Sequence, residues 1–276
     1  MIQQIYEKQN LPPLDALPEI IPGALDKIAE QVTVPVEISE ETAINLRRNK
    51  LDESSIWYLG EPSAISEAYI KRFQITGDVQ DLTKARAQAL ASPNASAKWT
   101  NLFAINQASK TAYGIIDEQD VKKLWKIAAK TPRNFTAQQK WLIRTLFMAD
   151  LTEKKEDFEK TREFTHRLTD YTQSQTGCAS SAATALMLYK LTGSQDDLNL
   201  ATEAAGKYGL DNPSLKAKMT EFLTIVVETS LKTGNNTLWM HAVEITSAYN
   251  KSKYSTPIRN RSTKLGKLAM PQDSRG

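Results

Sequence analysis

One phrase occurs twice in this chain in the same frame, and it constrains the fold more than any other feature. Phe73-Gln74-Ile75-Thr76-Gly77-Asp78 continues through Asp81-Leu82 to Ala85, and Tyr189-Lys190-Leu191-Thr192-Gly193-Ser194 continues through Asp197-Leu198 to Ala201. A looser copy, Lys232-Thr233-Gly234, carries Trp239 five and Ala242 eight residues beyond its glycine. Thr152-Glu153 with Phe158 forms a fainter fourth copy that lacks the glycine. A glycine that stops one helix, followed by an acid that starts another, is the chemistry of a helical hairpin turn. Repetition of such a turn implies a stack of hairpins.

Two rulers give the period. The turn glycines at 77, 193 and 234 lie 116 and 41 residues apart, and the prolines that close each hairpin, at 93, 132, 213 and 257, lie 39, 81 and 44 apart. Both indicate units of about 40 residues. The sequence therefore predicts five hairpins: 63–75 with 81–91, 97–113 with 118–130, 137–149 with 155–172, 180–191 with 196–208, and 215–231 with 237–249. Ala182, Leu186 and Tyr189 form an apolar stripe at helical spacing. The small residue at turn-plus-eight (Ala85, Ala201, Ala242) permits close helix approach, and the large one at turn-plus-five (Leu82, Leu198, Trp239) fills the space beside it. The expected fold class is all-α: a right-handed α-solenoid of about five hairpins with an extended N-terminal arm.

The flanks differ from the body. Residues 1–38 read as an arm, because Pro12, Pro13, Pro18 and Pro22 forbid a continuous helix. Within it 24–31 suits a short helix, and Val32–Ile38 is β-branched and extended, with Pro35 confining it to an edge. A helix is expected from Ser39 to about Lys50, with Glu40 and Glu41 in its positive first turn. The repeat domain is assigned to 39–250, and 251–276 is a basic tail. From Asn250 onward seven Lys/Arg face the single acid Asp273, whereas residues 51–249 are neutral, with 23 charges of each sign. A neutral body is a poor platform for nucleic acid, which requires a contiguous basic face.

The phrase Thr-Gly-Asp-x-x-Asp-Leu-x-x-Ala, read with Ala85 and the closing Pro93-Asn94, resembles the inter-helix turn of tetratricopeptide-like repeats. The chain departs from that family in its longer period and in lacking the first-helix Trp-Leu-Gly-Tyr pattern. The same turn is similar to those of α/α toroids, the six-hairpin barrels common among carbohydrate-active enzymes. The resemblance covers 63–249 and implies fold and not activity.

Chemistry-bearing motifs are scarce. His166 lies among charged neighbours, and His241 has only Glu244 at ligand spacing. Cys178, the single cysteine, excludes an intramolecular disulfide, and its small neighbours suggest burial. The acid pairs Glu40-Glu41, Glu156-Asp157 and Asp196-Asp197 all stand at helix starts, where they complement the dipole. A glycosidase needs two facing carboxylates, for which Asp78, Asp150 and Asp197 are the candidates. No phosphate loop, dinucleotide fingerprint or zinc spacing occurs. No catalytic residue, metal or cofactor is assigned.

The leading expectation is a non-enzymatic scaffold or adaptor that binds partner protein in a larger assembly, through the concave helix face and both flanks. Candidate contacts are Trp57 and Tyr58, in the loop before the repeats, and Arg259, Arg261, Lys264 and Lys267 in the tail. An α/α-toroid enzyme or glycan binder is the alternative. Nucleic acid or an anionic surface, met by the tail, is a third. No apolar run is long enough for a membrane span. The opening Met1–Lys8 has no signal-peptide pattern, so a cytoplasmic location is the default.

Overall fold

The computed structural model describes residues 18–31, 36, 38–128, 135–171, 174–209 and 212–249. The chain divides into two compact units at Ile127/Ala128. In the first, β1 (Glu19–Ile21) and α1 (Ala24–Gln31) precede α2 (Glu40–Arg48) and α3 (Glu53–Trp57). Then come α4 (Pro62–Thr76), α5 (Val79–Ala91), α6 (Ala95–Tyr113), β2 (Ile115–Asp117) and α7 (Glu118–Ala128). The second unit holds α8 (Phe135–Thr152), α9 (Lys155–Tyr171), α10 (Gln175–Thr192), α11 (Gln195–Gly206), α12 (Pro213–Thr233) and α13 (Asn236–Tyr249). Within each unit helices pack on their nearest and next-nearest neighbours: α4 on α5 and α6 in the first, α10 on α11 and α12 in the second.

The helices begin and end where local chemistry dictates. Asn94 and Asn212 each accept two backbone N–H bonds at the starts of α6 and α12, and Pro62 and Pro213 occupy first-turn positions that have no N–H to lose. The turns that follow α4, α6, α8, α10 and α12 each carry a residue in the left-handed region: Gly77 at φ 71°, Gly114 at 67°, Glu153 at 53°, Gly193 at 68° and Gly234 at 72°. Each donates its N–H to the carbonyl four residues back. Glycine is the residue that adopts this conformation without a Cβ penalty. Glu153 adopts it with one.

The repeated phrase builds a buried polar staple. Thr192 Oγ1 donates to Asp197 Oδ2 at 2.7 Å and accepts from the Ser194 N–H at 3.1 Å. Thr152 does the same with Asp157 at 2.7 Å and the Lys154 N–H at 3.5 Å, and Thr76 with Asp81 at 3.4 Å and the Asp78 N–H at 3.1 Å. The three acids are buried, and each meets a cation: Arg72 for Asp81, Lys160 for Asp157 and Arg162 for Asp197. The partner of each acid pair, Glu156 or Asp196, is exposed. So Asp157 and Asp197 are buried ion-pair members, beyond the helix-start role their position suggests.

The third copy diverges. Leu238 takes the place of the buried acid and is fully buried, whereas Trp239, expected to fill the core, is half-buried. Its turn is fixed by Asn235, which accepts the Leu238 N–H at 2.9 Å and donates to Asp150 Oδ2 at 2.6 Å.

Three further departures concern boundaries. The turn at Gly114 leads into β2 before α7 begins, and β2 pairs in parallel with β1, Ile20 opposite Ile116. Prolines at 18 and 22 bracket β1 and limit it to three residues. Ser174 caps α10, so that helix begins at Gln175 and not at the expected 180, and Gly177 lies inside it. Residues 19–31, which the sequence groups with the arm, form β1 and α1; Ala24, Leu25 and Ile28 are buried, and α1 packs on α5 and β2. Most of the extended segment expected at Val32–Ile38 lies outside the described residues.

Candidate functional site

Asp52 starts α3 by accepting the Ser55 N–H at 3.2 Å, Ser54 Oγ at 2.6 Å and Ser55 Oγ at 2.7 Å. These hydrogen bonds, Ser54's foremost, hold its carboxyl down at about 2. Ile56, fully buried, anchors the helix inward. The chain then turns through Leu59 N–H to Ile56 O at 3.1 Å, Gly60 N–H to Trp57 O at 3.4 Å and Glu61 N–H to Leu59 O at 2.7 Å, with Gly60 at φ 69°. This closed turn holds three apolar side chains outward: Trp57 at 54% exposure, Tyr58 at 91% and Leu59 at 48%.

A charged network fastens α3 to the helices below it. Glu53 accepts from Tyr69 Oη at 2.7 Å, from Lys84 Nζ at 2.9 Å and from Arg72 Nη1. Burial opposes the charge on Glu53, but the bonds from Lys84, Tyr69 and Arg72 outweigh it and bring the carboxyl to about 2. Burial and the bond to Glu53 push the Tyr69 hydroxyl well above the ordinary tyrosine value. Arg72 also reaches both oxygens of Asp81 through Nε at 2.9 Å, and its guanidinium lies 5.0 Å over the Tyr69 ring. Three side chains, Tyr69 and Arg72 from α4 and Lys84 from α5, thus converge on one carboxylate in the first turn of the helix that ends at the exposed Trp57. Nothing in the sequence near Trp57 pointed to this support; Glu53, Tyr69, Arg72 and Lys84 are up to 31 residues apart.

Trp57 and Tyr58 stand together here, but not in the loop expected before the repeats: Trp57 is the last residue of α3 and Tyr58 its C-cap, because Asp52 starts a short helix at Glu53. Arg259, Arg261, Lys264 and Lys267 lie outside the described residues. The candidate carboxylates have structural partners. Asp78 accepts the Gln80 N–H at 3.0 Å as the cap of α5, Asp150 accepts from Asn235, and Asp197 is buried against Arg162. Glu244 accepts from Lys190 at 3.0 Å and stands 3.6 Å from His241 Nδ1. Among the described residues no group of three or more His, Cys, Asp or Glu is placed to hold a metal, and no helix is long and apolar enough to cross a membrane. Cys178 is buried, and that burial pushes its thiol above the ordinary value, away from a reactive thiolate.

Comparison with protein-family models, with curated proteins and with solved structures finds no match.

Proposed function

We propose that this protein is a non-enzymatic helical-repeat adaptor, which binds partner protein through the Trp57-Tyr58-Leu59 turn. The observation that carries the reading is the pairing of exposure with rigidity at that turn. Large aromatics left in water are rare unless they serve a contact, and Trp and Tyr are the residues most enriched at interface centres. Here they project from a backbone closed by hydrogen bonds over an ion network, so little ordering entropy is lost on binding. The placement of the carboxylate candidates in caps and ion pairs speaks for structure, and leaves the toroid-enzyme reading without a specific support.

The finer architecture, five units of a right-handed α-solenoid, draws its support from the left-handed turn residues at 77, 114, 153, 193 and 234, which recur at intervals of 37 to 41 residues. The Arg259–Lys267 basic cluster remains a proposed additional contact.

The test is affinity capture with the full-length chain and with a Trp57→Ala/Tyr58→Ala variant. A captured protein is then purified and its affinity for each form measured. The adaptor reading expects a protein that binds directly and loses about tenfold or more in affinity on the double substitution. Equal binding by both forms counts against it.

A further inference from the structure

We propose that the chain self-associates through α2, two copies meeting as antiparallel helices about a two-fold axis that passes by Ile44. α2 buries one stripe: Leu46 is buried, Ala43 and Thr42 are partly covered, and the helix packs on α4. Its opposite face carries a large aliphatic side chain into water, Ile44 at 42% exposure. Around Ile44 the charges are arranged symmetrically in position and oppositely in sign. Glu40 and Glu41 lie four and three residues before it, and Arg47 and Arg48 lie three and four after, all of them exposed. At about 100° per residue, all four project within about 60° of the Ile44 direction, one turn below and one turn above it. None of the four forms an ion pair among the described residues.

A face with an apolar centre, an acidic end and a basic end is complementary to its own antiparallel copy. Turning one helix over about Ile44 sets Glu40 opposite the other copy's Arg48 and Glu41 opposite its Arg47. The operation produces four ion pairs around an Ile–Ile contact, at an axis separation of about 8–10 Å. The charges also exclude the competing arrangement: a parallel pair sets acid on acid and base on base. This inference stands apart from the contact proposed at Trp57–Leu59, since it rests on a different helix and needs no second protein.

The experiment uses the purified full chain in sedimentation equilibrium and native mass spectrometry, with two charge-reversal variants, Glu40→Arg/Glu41→Arg and Arg47→Glu/Arg48→Glu. The wild-type chain is expected to form a concentration-dependent dimer that weakens as salt is raised. Each variant alone is expected to dissociate about tenfold more readily or further. Mixing them is expected to restore a dimer that contains one copy of each, because every facing pair is then again of opposite sign. Far-UV circular dichroism confirms that the variants fold. Ile44→Lys, a change at an exposed position, provides a second disruption with the helix ends intact. A wild-type chain that stays monomeric at high micromolar concentration overturns the proposal. So does a dimer indifferent to both reversals and to Ile44→Lys, or a mixture that fails to form the heterodimer. Capture of another protein by a monomeric chain leaves the adaptor reading standing without this one.

Discussion

Arg162 on α9 grips Asp197 at the start of α11, with Nε 2.6 Å from Oδ1 and Nη2 2.8 Å from Oδ2. Arg86 on α5 does the same to Asp120 on α7, at 2.7 and 3.0 Å. The two arginines occupy one register, each nine residues beyond the left-handed residue of its own turn, Gly77 or Glu153. Each reaches a buried acid just beyond the next such turn, two helices on, so the second helix of one hairpin is bound to the following hairpin. Arg86 also lies 3.6 Å from Asp117 and 3.7 Å from Asp26, which draws α1 into the same contact.

Breaking one side of such a pair leaves a buried charge without compensation. Arg162→Met is expected to destabilise the protein by about 3–5 kcal/mol in urea unfolding. Asp197→Leu added to it should recover most of that loss. The fifth turn already shows the exchange, since Leu238 fills the equivalent site and is fully buried. A double variant as unstable as the single one would mean that Asp197 is needed for Thr192 and not for charge balance.

The left-handed turns yield a second prediction with opposite signs at two sites. Glu153 has a φ of 53° and a Cβ, and Glu153→Gly is expected to raise stability by about 1 kcal/mol by removing that penalty. Gly193→Ala is expected to lower it by a similar amount. A Cβ at Gly193 would meet nothing within 4 Å, so conformation alone sets the loss. Thermal unfolding of both variants checks the pair.

These turns were the legible part of the chain. Glycine, threonine and a following acid act on residues adjacent in sequence, so 77, 193 and 234 could be read directly, and hairpin ends fell within a few residues of the observed helices. The links between hairpins were not legible. Arg86 and Asp120 are 34 residues apart, and no local pattern marks one as the other's partner. Their signal lay in register, in the shared position of Arg86 and Arg162 after the turn. β2 escaped because a three-residue strand has no room for periodicity, and because it pairs with β1 about a hundred residues earlier. At the candidate site the exposure of Trp57 and Tyr58 could be anticipated from their place outside the repeats. The support through Glu53, Tyr69, Arg72 and Lys84 exists only in three dimensions.

The thiol of Cys178 offers a kinetic reading of the second unit. It is buried in α10, and burial raises its pKa, so a thiol reagent should label it only when the surrounding helices open. Labelling of the native protein at the rate of an unstructured thiol would contradict this packing.

The network at Glu53 predicts how the exposed turn responds to acid. The Glu53 carboxyl titrates at about 2 in the folded protein, against 4.5 for the free side chain. A group depressed on folding contributes stability that is fully present above its unfolded pKa, and that is lost as pH falls through the folded value. The loss therefore runs from about 4.5 down to about 2, where protonated Glu53 no longer accepts from Lys84 and Arg72. Half of this side chain is exposed, so solvent screens the network and the effect on global stability is small. The local effect is the one to measure. Trp57 emission, taken as the difference between wild type and Trp57→Phe, is expected to change across that interval. Glu53→Gln should remove most of the pH dependence and show the low-pH signal already at neutrality. An emission profile identical in the Glu53→Gln protein would place the acid transition elsewhere and detach Trp57 from the network beneath it.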